Sequence, residues 1–376
     1  MSYVVIGGGL AGISAALTLQ DAGESVELYE ASDDLGGRVR SDYNDGYILD
    51  RGFQLINSGY SELKRLKVVS EIDFCKSERT IDVVTPFGIS SIGDPRLHPF
   101  QAFNSPLGSL AEKVAVLKFL GDKPNSNISL RDALLASGTG DFFENLLRPF
   151  LRGVFLTELE NIDSSYGREI IKSFVLGDSG LPRAGAGALT EALGARIESV
   201  YLNSPVASLA EFEGKKVIIA TDAATASKLL GTSDSSEHAT SYTWYHSLPA
   251  DVITSKRLRV TSAQSPIINS IAVSNVVSQY APENKTLISS TSLEALSDQD
   301  ALAEIAKFWS LAPSDFSLVK RYEIRNSLPL FRPGAHGVSS SQVAENIFIA
   351  GDYLTAGSQN GALLSGRLAA MESLAY

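Results

Sequence analysis

The chain has 376 residues, 44% hydrophobic and 20% charged, the make-up of an ordinary globular protein long enough for two moderate cores. Its net charge of −11 excludes a nucleic-acid partner, because a phosphate backbone demands a basic face. The single cysteine, Cys75, excludes an intramolecular disulfide, and the four histidines (His98, His238, His246, His336) lack ligand spacing, so no metal is expected.

Tyr3-Val-Val-Ile6 predicts a buried strand and starts too early to leave room for a signal peptide. No later apolar run is long enough to span a bilayer, so a cytoplasmic protein is expected. Gly7-Gly-Gly-Leu-Ala-Gly12 then turns the chain into a helix. Gly7 permits the tight turn, Gly9 lets the backbone approach a pyrophosphate, and Gly12 lets the helix pack on the sheet. Leu10 and Ala11 open that helix, whose free N–H groups and partial positive charge suit phosphates. A second strand, Val26-Glu-Leu-Tyr-Glu30, ends in an acid placed to accept hydrogen bonds from adenosine ribose hydroxyls. Together these predict a dinucleotide site.

After Glu30, the pair Gly36-Gly37 lets a loop pass close to the cofactor, and Arg38 can reach its diphosphate. Residues 81–92 alternate like strands, 109–120 have helical spacing, 253–293 are rich in β-branched residues, and 298–310 form an amphipathic helix. Gly138-Thr-Gly140 and Gly185-Ala-Gly187 follow no buried strand and read as turns and helix starts, so no separate NAD(P)H domain is expected. Asn346-Ile-Phe-Ile-Ala-Gly-Asp352 is a short strand ending in Gly351-Asp352, where an Asp suits the ribityl chain of a flavin. The helix starting near Gln359, Asn360, Gly361 and Ala362 would aim its dipole at the flavin pyrimidine.

The fingerprint with Glu30, the Gly-Gly-Arg38 loop and the terminal Gly-Asp…Asn-Gly-Ala…Ser-Gly-Arg367 resemble the FAD-dependent amine oxidase, phytoene desaturase and protoporphyrinogen oxidase superfamily. Leu181-Pro-Arg-Ala-Gly-Ala-Gly-Ala-Leu189 resembles its Pro-x-Gly-Gly segment, and Val206 falls where the family's adenine-contacting valine lies. Arg148-Pro-Phe-Leu-Arg-Gly-Val-Phe155 resembles a substrate-domain segment of the desaturase branch. Tyr47-Ile-Leu-Asp-Arg-Gly-Phe-Gln54 and Ser327-Leu-Pro329 resemble an uncharacterised desaturase-like subgroup. The resemblance spans the chain in order. It implies an α/β fold, with a Rossmann-like FAD-binding domain (1–75, 180–235 and 335–376) interleaved with an α+β substrate domain (76–179 and 236–334) holding a mixed or antiparallel sheet.

The resemblance also implies non-covalent FAD, since the covalent members attach it through a cysteine near the C-terminal motif, where this chain has none. Counting back from Gly361-Ala362, Ser358 and Gln359 stand where amine oxidases place an aromatic cage, which ranks amine oxidation with peroxide release second. The first expectation is hydride transfer between flavin N5 and an apolar substrate, isoprenoid-like or cyclic, by desaturation, saturation or isomerisation. A catalytically silent flavin-binding module is the third. Electrons would pass to or from a diffusing partner such as oxygen or a quinone.

Arg51 has two readings, a charged group beside the flavin or a structural partner of Asp50 or another acid. Tyr242, Trp244 and Tyr245 form an aromatic cluster of which one or two line a substrate pocket, Tyr242 and Trp244 being the choice. Arg152, four residues from Arg148, is either an anion site in that pocket or half of a solvated salt-bridging pair. The apolar residues of 99–120, among them Phe100, Phe103, Leu110, Val114 and Leu117, suit either core packing or peripheral contact with a membrane.

Overall fold

The computed structural model describes residues 2–123, 125, 127–234, 236–335 and 340–376. His336 lies outside them. Two large sheets organise the chain. The first has six strands in the order Val200–Tyr201, Ser25–Tyr29, Ser2–Ile6, Lys216–Ile219, Ile347–Ile349 and Gln342–Ala344. All but the last pair run parallel. Central strands of a parallel sheet are covered on both faces, which explains the unbroken apolar run Tyr3-Val-Val-Ile6.

Helices Leu10–Asp21 and Gln359–Ala375 lie together on one side of this sheet. They come close because Gly366 has no side chain: a Cβ there would overlap the Ala11 carbonyl. Gly12 works the same way against the Gly7 carbonyl. The chain's two ends are thus one packing unit.

The second sheet has seven strands in the order Ser317–Pro329, His238–Pro249, Lys285–Ser292, Ile267–Ala272, Leu258–Thr261, Thr80–Thr85 and Gly88–Gly93. Its pairs are antiparallel except Leu258–Thr261 with Thr80–Thr85, so the sheet is mixed. Its outer face, with Trp244, Ile288 and Ala272, packs on helix Asp298–Trp309. Its inner face, with Tyr245, Ile271 and Leu287, packs on Leu49 and Tyr280. The α/β class with a mixed second sheet is as the sequence implied.

Helices Leu110–Gly121 and Asp298–Trp309 fall within two residues of their expected bounds, each opened by a serine N-cap (Ser109, Ser297). Arg148–Phe155 is helical despite Pro149, and it continues directly from a π-helical turn, Phe143–Leu147, a local widening of the helical ladder. Gly140 and Gly187 stand at helix starts, as expected, although a buried strand, Ser179–Pro182, does precede Gly185.

Candidate functional site

The first helix is capped by Gly9, which offers no side-chain acceptor, and its first turn carries no acid. Its leading N–H groups face the space above Gly9, where an added Cβ would meet nothing within 4 Å. Gly7, at φ +107°, supports the turn from below, its would-be Cβ 2.7 Å from the Ala220 carbonyl oxygen. The second glycine pair closes on the first: Gly36 donates its N–H to the Gly8 carbonyl at 2.8 Å, and a Cβ on Gly37 would sit 3.4 Å from Gly9 Cα. Glu30 accepts from Gly8 N–H (2.6 Å), Ser32 N–H (2.8 Å) and the Ser32 hydroxyl (2.7 Å). Ser204 donates its N–H to the Glu30 carbonyl, and Val206 packs near Tyr29 and Ile219 at the same end of the sheet.

Arg38 leaves this loop toward the C-terminal motif. Its Nη2 lies 2.6 Å from Asp352 Oδ1, with the Arg side chain 43% exposed and the Asp side chain 5%. Nη1 donates to the Ser327 carbonyl at 2.8 Å, and Gln54 Nε2 donates to the Arg38 carbonyl at 2.7 Å. Gly351 N–H is held by the Ser365 hydroxyl at 2.9 Å. Four segments far apart in sequence thereby meet: 7–12, 36–38, 327 and 351–352.

At the final helix, Ser358 is the N-cap. Its hydroxyl accepts Gly361 N–H (3.0 Å) and its carbonyl accepts Ala362 N–H (2.9 Å). The side chain of Asn360 turns away to accept from Glu62 N–H and the Ser61 hydroxyl. The donors expected at Gly361 and Ala362 are therefore spent inside the cap, which leaves the helix start to Gln359 and Asn360. Gln359 Oε1 is buried there without a hydrogen-bond partner among the described residues.

Arg51 resolves as a structural pair, but with Asp42 rather than Asp50: its Nη2 and Nε lie 2.9 and 3.2 Å from Asp42 Oδ1. Burial would raise the Asp42 carboxyl; hydrogen bonds from Arg51 and Tyr322 outweigh it and hold the pKa below its ordinary value. Asp50 is buried, and burial pushes its pKa up against hydrogen bonds from the Ser41 hydroxyl (2.6 Å), Ala186 N–H (2.8 Å) and the Tyr280 hydroxyl (2.9 Å).

The pocket expectation for Tyr242 and Trp244 is corrected. Both side chains lie on the outer face of their strand with Arg321 over the rings, and Trp244 Nε1 donates to Asp298 at 2.8 Å. Strand alternation puts Tyr245 on the inner face instead, where its hydroxyl donates to the Asp50 carbonyl at 2.9 Å. Arg152 and Arg148 both pair with Glu158, at 2.8 and 3.1 Å, which is the salt-bridging reading and not an anion site. His246 is buried against Phe316 on the outer face, and burial pulls its pKa down to about 4. Among the described residues no group of three His, Cys, Asp or Glu could hold a metal ion.

Sequence reasoning missed Gln54, Tyr245 and Tyr280 as partners of the glycine loop and Asp50. It also missed Glu62, buried and bound by Arg367 at 2.8 and 3.0 Å. The quoted Asp-Arg-Gly-Phe-Gln54 run carried a signal for Gln54 and the aromatic cluster one for Tyr245; Tyr280 and Glu62 had none.

Two features fit a phosphate-bearing flavin nucleotide: an uncapped helix start beneath open space, and an orphaned amide oxygen, Gln359 Oε1, at the second helix start. Residues 10–237 match the model of the flavin containing amine oxidoreductase family. Polyamine oxidase 2 of Arabidopsis thaliana is 55% identical over 51 residues, 14% of this chain and 10% of the relative. The 4,4'-diaponeurosporene oxygenase of Staphylococcus aureus (strain USA300) is 44% identical over 57 residues, 15% of this chain and 12% of the relative. Both matches thus span about a tenth of those proteins. A crystal structure of an oxidoreductase from Methanosarcina mazei superposes with a TM-score of 0.79 over 100% of both chains at 16% identity, a likeness of fold. Glycine turn, Arg38 loop and C-terminal motif converge in a chain whose residues 10–237 fit one family model, and with that match the chain belongs to the flavin containing amine oxidoreductase family, whose members are flavin-dependent oxidoreductases.

Proposed function

We propose that the protein binds FAD non-covalently and exchanges hydride with a substrate whose body is apolar, isoprenoid-like or cyclic. The observation that carries this reading is the convergence of Gly9, Gly36, Arg38 and Asp352 around the uncapped start of the first helix. When bound, the flavin supplies hydride chemistry at N5. The chain's own residues bind and orient. Gly7, Gly9, Leu10, Ala11 and Gly12 present backbone to the diphosphate, and Glu30 holds the ribose. Val206 lies against the adenine. Arg38 neutralises charge between the diphosphate and Asp352, and Gln359 and Asn360 offer the second helix start to the ring.

On this reading residues 1–75, 180–235 and 335–376 form the cofactor domain and 76–179 and 236–334 the substrate domain. The strands of the two large sheets divide along these bounds, which supports the division. The position of Cys75, on a strand paired with Leu181 and not beside the C-terminal motif, supports non-covalent binding. Ser358 spends its side chain as a helix cap, which supports ranking amine oxidation second. Electrons then pass to or from a diffusing partner such as oxygen or a quinone.

A second observation favours a protein that collects substrate from a lipid surface. Leu97, Phe100, Phe103, Leu110, Val114 and Leu117 are all exposed, Phe100 at 83%. Lys113 ties helix Leu110–Gly121 to the end of helix Pro99–Asn104 by donating to the Phe103 and Ser105 carbonyls. Among the described residues no helix is long and apolar enough to cross a membrane.

The test is reconstitution of purified protein with FAD, followed by visible absorbance and acid precipitation. Flavin bands that leave with the supernatant are expected. Protein that never acquires them refutes the proposal.

A further inference from the structure

We infer that the substrate carries a neutral hydrogen-bonding group, a hydroxyl, carbonyl or amide, received by a polar strip on the inner face of the seven-stranded sheet. The inference rests on the proposed function, in which this sheet belongs to the substrate domain, and it adds what the substrate must present.

Strand register defines the strip. Thr243 lies opposite Thr291, and Thr291 opposite Asn269. Residues directly opposite in a ladder share a face, so the three form one row across neighbouring strands, roughly 10 Å long at the usual strand spacing. Tyr322 precedes the row beside Thr243, and Val260 continues it beyond Asn269. All three side chains are buried, and Thr243 Oγ1, Thr291 Oγ1 and Asn269 Oδ1 have no hydrogen-bond partner among the described residues.

Buried polar atoms are almost always paired, so three orphans in consecutive register call for a cause. The outer face has partnerless buried atoms of its own among the described residues, His246 Nδ1 and Arg259 Nε and Nη1, but none in consecutive register. There Trp309 Nε1 donates to the Ser270 hydroxyl at 2.8 Å, Ser270 and Ser290 share a hydrogen bond of 2.7 Å, and Trp244 reaches Asp298. A purely structural inner row would continue as it ends, in Val260 and Val83 among Ile92 and Leu107.

The strip also lies in the right place. At one end the Tyr322 hydroxyl donates to Asp42, the partner of Arg51, and a Cβ on Gly52 would sit 2.8 Å from Ile324 Cδ1 on the same face. At the other end helix Arg148–Phe155 closes over it, a Cβ on Gly153 falling 2.7 Å from Asn269 Nδ2. The strip therefore runs from the hairpin that carries Asp50 to the substrate-domain helix. Two hydroxyls and an amide oxygen carry no charge. The nearby acids are committed, Asp42 to Arg51 and Tyr322, and Asp50 to Ser41, Ala186 and Tyr280. An ammonium group would find no free carboxylate along the row, whereas a hydroxyl or carbonyl finds matched donors and acceptors.

The test pairs T243V/T291V, which keeps the β-branched shape and removes both hydroxyls, with calorimetric titration of the flavin-loaded protein. The probes are cyclohexanol, cyclohexene and cyclohexylamine, rings of one size that differ in the group presented. The native protein is expected to prefer the alcohol, and the double variant to lose about tenfold of that preference while melting no lower than native. A preference that survives in the variant, an absence of preference in the native protein, or a preference for the amine overturns the inference. So does a variant that melts well below native, because that would mean the hydroxyls have protein partners. Failure of the functional reading registers separately, as absent flavin absorbance before any probe is added.

Discussion

Removing Arg38 and removing Asp352 break the same contact but should not cost the same. The pair lies 2.6 Å apart, with Asp352 nearly buried and Arg38 43% exposed. Deleting one partner of a fully buried pair costs about 3–5 kcal/mol, most of it from the charge left behind without solvent. R38A leaves the buried carboxylate. Solvent reaches it through the vacated, half-open position, so the expected loss is roughly 2 kcal/mol. D352N leaves a half-exposed guanidinium that still donates to the Ser327 carbonyl, and its loss should be under about 1 kcal/mol. Urea denaturation of flavin-free protein, with both single variants and R38A/D352N, measures the asymmetry and the coupling directly. The double variant should recover part of the R38A loss, because it no longer strands a charge. A D352N loss equal to or above that of R38A would refute the burial argument.

Three further outcomes are expected. Burial would raise the Glu62 carboxyl, but hydrogen bonds from Arg367 and Arg65 outweigh it and hold it below its ordinary value. That stabilisation is present above the unfolded value of about 4.3 and is lost as pH falls through the lower folded one, so in equilibrium unfolding E62Q should weaken the protein at pH 7 and progressively less as the pH falls below about 4.3. G366A should cost about 1–3 kcal/mol in thermal denaturation, because its methyl overlaps the Ala11 carbonyl and forces the first and last helices apart; an unchanged midpoint refutes the contact. F100S/L117S should lower flotation with phosphatidylcholine vesicles severalfold, with little effect of salt on either protein. A requirement for anionic lipid would contradict an apolar mode of binding by an acidic chain.

What the sequence disclosed and what it hid divide by range of interaction. The fingerprint, the Gly36-Gly37 pair and the strand into Asp352 were legible because each has a local backbone demand, a positive φ or a close approach, that few residues meet. Gly37 at φ +58° is a turn in any context. The aromatic cluster was misassigned because alternation fixes which residues share a face but not which face looks inward. Tyr242 and Trp244 went together, correctly, and to the side of helix Asp298–Trp309. Spacing left Arg152 open between a pocket anion site and a salt bridge, because its acid, Glu158, lies beyond the helix end. Glu62 had no signal at all, since a buried acid on a six-residue helix is indistinguishable in sequence from a solvated one.

Asp50 shows why the join between the two sheets could not be read from motifs. Its carboxylate and carbonyl accept from Ser41 on the facing strand, from Ala186 in the returning segment, and from Tyr280 and Tyr245 in the substrate region. These donors are spread over more than two hundred residues, and each is unremarkable alone. Burial disfavours the charge on Asp50 and outweighs the three side-chain and backbone donors that converge on its two oxygens, so its pKa stands above the ordinary carboxylate value. The one cation close in sequence, Arg51, is drawn off by Asp42 and Tyr322. A neutral-donor cage of this kind fixes the hairpin Ser41–Asp50 against the inner face of the seven-stranded sheet without placing a mobile charge there. That rigidity sets the distance between the glycine-lined cofactor cradle and the Thr243–Thr291–Asn269 row. On that face the row's oxygens and Ser289 Oγ are the buried polar atoms without a partner among the described residues, and the inferred substrate group would be received by the row.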